Sequence, residues 1–206
     1  MSEILRRRRA MMAQKAGGGL PSDFQPVAWV GTNNTASYFD TGYTVQKTDK
    51  VEIVASRSAN KQDQTLVHSS QFSIVQGGLN QSRKYGFAKW GKTYIDVLND
   101  YLPDIDEVAT FTVDVPGRTF TINQTVKTFT APGTTTENSL KIFTSNTYFG
   151  YHQIKSVKIW DSSDSLVVEA IAGYIKSTSE IVFYDTVSKT YLHNLETGTL
   201  IKGADI

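Results

Sequence analysis

After the first twenty residues, hydrophobic and polar side chains alternate in short runs that are separated by turn residues. In the run from 109 to 115, Phe111 and Val113 fall on one side of an extended chain and the polar residues between them on the other. This alternation predicts half-buried antiparallel strands rather than parallel βαβ units. Further runs of this kind lie at 51–56, 72–76, 84–90, 93–98, 118–123, 126–130, 140–144, 154–161, 166–175 and 180–185.

Turn residues connect several of these runs. The connections at 90–93 and 116–118 each contain a glycine, which adopts positive φ at little cost, and Asn123 begins another connection. Asp161 precedes two serines and is predicted to cap the turn that they form. About a dozen strands without a convincing helix predict an all-β fold of two packed antiparallel sheets.

Composition supports this class and excludes some chemistry. The chain has 206 residues, a length that suits one domain with one core. Its 10 Tyr and 10 Phe, with frequent Thr, Val and Ile, suit half-buried pleated surfaces. Cysteine is absent, which excludes disulfides, thiolate zinc sites and a cysteine nucleophile.

Residues 1–19, which we call the leader, differ in charge from the body at 20–206. The leader has five arginine and lysine side chains and one glutamate, a net charge of +4, whereas the whole chain carries +1, which leaves −3 for the body. A mildly acidic body is not itself an electrostatic nucleic-acid binder. The apolar run at 10–13 is too short for a secretory signal peptide.

The leader combines charge with a small apolar face and ends in the flexible linker Gly17–Gly19. It predicts a short amphipathic helix that docks on another protein, although helices of this length fray in water and a disordered tail stays an alternative. Contact between the arginines and DNA is a further alternative. We rank it lower because the apolar side chains of the leader would make no favourable contact with the phosphate backbone. A single weak helix binds better when repeated, which favours a homo-oligomer such as a trimer. The predicted anchor residues are Ile4, Leu5, Arg6, Arg7, Arg8, Arg9, Met11 and Met12.

Two stretches resemble a known family. The sequence LPSDFQPVAWVGTNNTASYFDTGYTV at 20–45 and the long closing segment at 154–203, with its KIWD, VFYD and TGTLIKG motifs, resemble concanavalin A-like jelly-roll domains of the lectin and glucanase type. Such domains occur in virion proteins of gut bacteriophages and in surface proteins of gut Bacteroidetes. The resemblance implies a jelly-roll sandwich that serves a binding or structural role, and it names no ligand. The arginine-rich leader also resembles the attachment peptides of capsid-bound fibres of crAss-like phages.

Enzymatic and metal chemistry find little support. The Glu-x-Asp-x-x-Glu strand motif of glucanases with this fold is absent, so we predict no enzyme. The acidic residues that follow Pro103 are typical of a solvated loop, and the segment GGLNQS at 77–82 is typical of a turn rather than a phosphate loop. The histidines are dispersed, and we predict no metal and no cofactor. These acidic residues are Asp104, Asp106 and Glu107, and the histidines are His68, His152 and His193.

A glycan site needs an exposed aromatic platform and fixed polar groups. The candidates near predicted strand ends are Trp90, Tyr94, Tyr148 and Tyr151, accompanied by Asn146 and His152, with packing in the core as the alternative role for each.

Two functions follow. The first is a non-enzymatic phage virion protein, assembled in the bacterial cytoplasm and attached to capsid or connector proteins through the leader as a decoration or head fibre. The alternative is a glycan-binding receptor or adhesion module of a phage tail or a gut bacterial surface protein.

Overall fold

The computed structural model describes residues 19–32, 35–59, 64–77, 85–90, 93–98, 103–130, 138–144 and 151–206. At 64, 76, 77, 85–87, 89, 90, 93–98 and 144 it describes the backbone alone. The predicted anchor helix and its residues from Ile4 to Met12 lie outside the described residues. Where the chain is described, it contains no helix long and apolar enough to cross a membrane.

The described residues form β-strands joined by turns and loops, as the alternating pattern predicted. The strands are β1 (Phe24–Pro26), β2 (Val30–Thr32), β3 (Ser37–Asp40), β4 (Lys50–Arg57), β5 (Gln64–His68), β6 (Phe72–Gly77), β7 (Tyr85–Trp90), β8 (Thr93–Leu98), β9 (Ala109–Asp114), β10 (Thr119–Ile122), β11 (Thr125–Thr128), β12 (Lys141–Thr144), β13 (His152–Trp160), β14 (Leu166–Ile175), β15 (Glu180–Asp185), β16 (Thr190–Leu192) and β17 (Leu200–Lys202).

These strands form two antiparallel sheets. The larger sheet has the order β11-β10-β9-β4-β13-β14-β15-β16, with β1 paired to β14, β2 paired to β13 and β17 paired to β2. The smaller sheet has the order β3-β12-β5-β6-β7-β8. The prediction of an all-β fold with two antiparallel sheets is confirmed.

One hydrophobic core lies between the sheets. Phe111 and Val113 of β9 are buried, as their alternation predicted, and they belong to the same cluster as Ile53 of β4. The smaller sheet contributes Phe72 and Ile74 to this cluster. The two sheets therefore bury one face each against the other, as in a β-sandwich.

The β9–β10 turn corrects one expectation about glycine. Gly117 does not supply the positive φ of this turn, because Arg118 adopts it at 54°. Gly117 instead makes room for a carboxylate: its amide donates to Oδ1 of Asp114 at 2.9 Å, and a Cβ at this position would lie 2.6 Å from the second oxygen. A side chain at this position would displace the Asp114 carboxylate, so glycine suits the close approach rather than a special backbone angle.

Strand β15 is buried on both faces. Phe183 belongs to the core between the sheets, whereas Val182 and Tyr184 form a second cluster with Phe24 of β1 on the other side of the larger sheet. Gly173 permits this arrangement, since a Cβ there would lie 2.2 Å from the ring of Phe24. The first described strand therefore covers part of the sheet that the closing strands build.

The two ends of the body run side by side. Strand β17 pairs antiparallel with β2, and the backbone pairing continues through a bridge between Val27 and Asp205. Asp205 also accepts a hydrogen bond from the Tyr174 hydroxyl at 3.0 Å and lies 3.0 Å from the ammonium of Lys202. The C-terminal residues are thus held by backbone pairing although their side chains are largely exposed.

Candidate functional site

A cavity of about 300 Å³ opens between the two sheets, beside the end of β3 and the turn between β15 and β16. We call it the inter-sheet cleft. One wall comes from the loop that follows β3, and the opposite wall comes from β14, β15 and β16 of the larger sheet. Its lining residues are Asp40, Thr41, Gly42, Val167, Val168, Asp185, Val187, Ser188, Thr190 and Leu192.

The floor of the cleft is aliphatic, and a β-bulge helps to build it. Val168 pairs with Ile159 across β13 and β14, whereas the next pair joins Leu166 to Trp160, which leaves Val167 as an extra residue. A bulge of this kind redirects a side chain. Both valines are buried, with 6% of Val167 and 2% of Val168 exposed, so two consecutive residues contribute apolar surface.

The Asp185 carboxylate organises the wall formed by the β15–β16 turn. It accepts hydrogen bonds from the amides of Glu169, Val187 and Ser188 at 2.9, 3.1 and 3.3 Å, and from the Ser188 hydroxyl. Only 2% of Asp185 is exposed. A buried carboxylate with this many donors is structurally committed, and it holds the Ser188 hydroxyl 2.7 Å from that of Thr190.

The Asp40 carboxylate is held differently. Asp40 is the last residue of β3 and is half-buried, and its Oδ1 accepts a hydrogen bond from the Gly42 amide at 2.7 Å. Gly42 has a φ of 64°, which glycine adopts without strain. The Thr41 hydroxyl donates to the Leu140 carbonyl at 2.8 Å and fixes the loop to the smaller sheet. No described residue donates a hydrogen bond to Asp40 Oδ2, so this oxygen of a lining residue remains an acceptor.

This arrangement combines three features that suit a small polyol. An oriented carboxylate oxygen accepts hydrogen bonds, and an aliphatic floor contacts C–H groups. The hydroxyl pair also offers acceptors, because the Ser188 proton is donated to Asp185 and the Thr190 proton to Ser188. The volume lies at the lower end of the roughly 300–1,000 Å³ typical of small-molecule sites, which limits the cleft to a ligand of about one sugar ring.

Of the predicted glycan-binding aromatic residues, Tyr151 is the one whose side chain the structure describes, and it is not among the residues that line the cleft. Tyr151 is half-buried before β13, and its carbonyl accepts hydrogen bonds from the amide and hydroxyl of Ser58 at 2.8 and 3.2 Å. The register pairs Trp90 with Phe72 and Thr93, and pairs Tyr94 with Lys89, but the structure describes no side chain at either aromatic position. Tyr148 and Asn146 lie outside the described residues.

The histidines are dispersed in the structure as in the sequence. His152 is buried in β13 with 1% exposed, and burial lowers its pKa to about 3. His193 is exposed, and its Nδ1 lies 2.7 Å from Oε1 of Glu180. His68 ends β5 and is half-buried. None of them lies in the cleft.

The acidic loop after Pro103 is exposed at Asp104, Asp106 and Glu107, which fits the predicted solvated loop. The Glu107 carboxylate accepts a hydrogen bond from the Asp104 amide at 2.9 Å. Within the described ranges, no group of three or more His, Cys, Asp or Glu side chains is arranged to hold a metal ion.

Sequence reasoning missed the cleft, although one local signal was present. Asp40 and Asp185 each end a strand and are each followed by turn residues, Thr-Gly in one case and Thr-Val-Ser in the other. Aspartates in this position cap turns through their side chains, as Asp161 does with the amides of Ser163 and Ser165 at 2.9 and 3.2 Å. The signal predicts two turns, and it does not reveal that they face each other.

Comparisons with known proteins show the fold alone. No family model matches the chain, and no curated protein matches it. Among solved structures, it is similar to the crystal structure of a "putative carbohydrate binding protein" from Bacteroides ovatus, with a TM-score of 0.56 and 12% sequence identity. The match covers 88% of this chain and 62% of the Bacteroides ovatus chain, so this chain spans less than two thirds of that protein.

Proposed function

We propose that this chain is a glycan-binding module on a concanavalin A-like jelly roll, and that the inter-sheet cleft binds its saccharide. The observation that carries the proposal is the fixed acceptor of Asp40 opposite the hydroxyls of Ser188 and Thr190, above an aliphatic floor. The shared fold with a neighbour described as carbohydrate binding supports the same class of ligand.

We further propose that the module binds without catalysing hydrolysis. Glycoside hydrolysis usually needs two carboxyl groups that act on the substrate. Of the two carboxylates among the described lining residues, Asp185 is buried and engaged by backbone amides, which leaves Asp40 as the one with an oxygen that no described residue bonds.

Glycan-array screening followed by titration calorimetry tests the proposal, with Asp40→Asn as the variant. Asparagine keeps an acceptor for the Gly42 amide and replaces the cleft-facing acceptor by an amide donor. A lost hydrogen bond to a charged group lowers affinity by about tenfold or more. Asp114→Asn is the matched control, because Asp114 makes the same bond to the amide of Gly117 outside the cleft.

Saccharide binding that survives Asp40→Asn unchanged would move the site elsewhere. In that case the aromatic positions Trp90, Tyr94, Tyr148 and Tyr151 are the next to be replaced by alanine. A complete absence of binding across the array would refute the glycan-binding function itself.

A second function, compatible with the first, is supported by the leader. Its net charge of +4, its apolar residues and the Gly17–Gly19 linker are the features of a docking peptide. We propose that the leader attaches the module to capsid or connector proteins of a phage virion, with several copies giving avidity. Deleting residues 1–19 is expected to abolish incorporation into particles and to leave the thermal unfolding midpoint unchanged. Normal incorporation of the truncated chain would refute this role.

A further inference from the structure

The lining of the inter-sheet cleft is divided between a polar rim and an aliphatic floor. Asp40, Ser188 and Thr190 form the rim, and the floor consists of aliphatic side chains from the larger sheet. The floor residues are Val167, Val168, Val187 and Leu192.

We infer that the cleft selects an uncharged saccharide that carries a methyl group, either a 6-deoxyhexose or an N-acetylhexosamine. This inference rests on the proposed glycan-binding function and specifies its ligand. The charge and the shape of the lining each support one part of it.

The charge of the lining excludes acidic sugars. Two carboxylates, Asp40 and Asp185, line the cleft, and the lining residues that the structure describes include no lysine, arginine or histidine. A uronic acid, a sialic acid or a sulfated sugar would bring a third anion into a confined site where repulsion is weakly screened. The amides of Val187 and Ser188 cannot compensate, because they already donate to Asp185.

The chemistry of the floor favours a methyl group. Saccharide sites often use an aromatic ring that contacts the C–H face of the sugar, but none of the described lining residues is aromatic. Branched aliphatic side chains instead surround a small convex group, and the bulge at Val167 adds one such side chain. A hydroxymethyl group placed on this floor would give up hydrogen bonds to water without replacement, whereas a methyl group has none to lose.

The polar rim explains why a sugar, rather than a hydrocarbon, fits the same cavity. Asp40 is presented by the smaller sheet, while the hydroxyl pair comes from the β15–β16 turn of the larger sheet. A ring with adjacent hydroxyls can engage both walls while its methyl group contacts the valines. The division of the lining therefore sets the orientation of the ligand as well as its class.

Matched saccharide pairs test the inference on the full-length chain. Methyl α-L-fucoside and methyl α-L-galactoside differ by one hydroxyl at C6, and the methyl glycosides of N-acetylglucosamine and glucose differ by the acetamido group. Titration calorimetry is expected to show at least tenfold tighter binding for the methyl-bearing member of one pair, the preference typical of an apolar pocket. The pair that discriminates identifies the source of the methyl group, and methyl glucuronide is expected to bind more weakly than either.

Saturation-transfer NMR adds a readout that depends on position. The methyl protons of the bound saccharide are expected to receive the strongest saturation, because they contact the protonated side chains of the floor. Stronger saturation of the ring protons on the opposite side would overturn the inference.

Threonine substitutions on the floor test selection within the protein. Val187→Thr keeps the side-chain shape, adds a hydroxyl to a half-buried position, and is expected to reduce the fucoside-to-galactoside affinity ratio at least threefold. Val167→Thr is a second variant with the same expectation, and Val126→Thr is the control because Val126 is exposed on β11. The ratio is measured within each variant, so altered stability does not obscure it.

Two negative outcomes are distinguishable. Equal binding of both members of each pair, still abolished by Asp40→Asn, would overturn methyl selection and leave the glycan-binding function in place. Failure of every saccharide to bind would overturn both.

Discussion

The two ends of the β-sandwich both bury charged or titratable side chains, but they satisfy them by different means. The paired strands β4 and β13 run from one end to the other. At one end Lys50 pairs with Trp160, beside the start of β14, and at the other end Arg57 pairs with His152. The cleft end holds Asp40 and Asp185. The basic end holds Arg57 and His152.

At the cleft end, a local turn supplies the partners. The amides of Val187 and Ser188 follow Asp185 directly in the chain and donate to its carboxylate. The cost of removing this carboxylate from water is thereby offset by hydrogen bonds that form as the turn forms. The same turn also holds the Ser188 and Thr190 hydroxyls at the rim of the inter-sheet cleft.

At the basic end, partners are fewer and burial dominates. The guanidinium of Arg57 donates to the Pro103 carbonyl at 2.8 Å, and only 2% of the residue is exposed. Desolvation lowers the pKa of Arg57 and of His152. Phe143, whose ring stacks on His152 at 6.2 Å, adopts a φ of 63° that is rare for a bulky residue. Polar groups that are satisfied by a turn can therefore frame a ligand site. Titratable groups whose pKa is shifted by burial instead make stability depend on pH.

The largest expected effect concerns Asp185. Replacing Asp185 by alanine removes the acceptor for three amides and one hydroxyl, and we expect the free energy of unfolding to fall by about 3 kcal/mol. Urea denaturation measures the change. Asp114→Ala, which removes the acceptor for one amide in an exposed turn, is expected to cost less than about 1 kcal/mol. Equal losses in the two variants would show that Asp185 is no more structural than an ordinary turn residue.

An effect that is small near neutral pH and grows as pH falls concerns His152. Its pKa is about 3 in the folded state, lowered by burial, and about 6.5 in the unfolded chain. Between these values the unfolded state binds more protons, so the free energy of unfolding decreases as pH falls, by about 1.4 kcal/mol per unit. His152→Asn is expected to flatten this dependence in urea titrations from about pH 7 to about pH 4.

His193→Asn provides the control for this prediction, because it removes an exposed histidine and leaves the buried His152 in place. Asp49, whose pKa burial raises, has the opposite effect on how the free energy of unfolding depends on pH. Because Asp49 is present in the parent and in both variants, the readout is the difference between their profiles of unfolding free energy against pH. If the unfolding free energies of the parent and His152→Asn change with pH in parallel, His152 is not the source of the pH dependence predicted for the basic end.

The smallest expected effect on stability concerns Asp40, and it sharpens the contrast with Asp185. Because Asp40 is half-buried and Oδ1 remains an acceptor in Asp40→Asn, we expect a change in unfolding free energy within about 0.5 kcal/mol. The same variant is expected to lose saccharide affinity, so binding and stability separate at this position. A loss of stability comparable to that of Asp185→Ala would place Asp40 among the structural carboxylates.

Local patterns predicted much of the strand content. The hairpins β9–β10 and β10–β11 were predictable because their turns are short and Asn123, with a φ of 52°, tolerates the left-handed region. The position of β4 between β9 and β13 was not, since pairing between strands distant in sequence leaves no local signal.

The sequence suggested the class of ligand, a glycan, but it did not indicate where on the fold the candidate site lies. The requirement for an aromatic platform favoured Trp90, Tyr94, Tyr148 and Tyr151, and Tyr151, whose side chain the structure describes, does not line the cleft. The cleft instead joins the loop after β3 to the bulge at Val167. A bulge depends on the register between β13 and β14, and register is set when two strands pair.

The amino-acid sequence by itself determined the alternation of buried and exposed positions, the local turns, and the aspartates that cap them, because each depends on neighbours within a few residues. Tertiary structure decided which turns meet, which carboxylate is consumed by backbone amides and which still offers an oxygen to a cavity. Those outcomes depend on how two sheets pack, and packing is a property of the whole chain rather than of any segment.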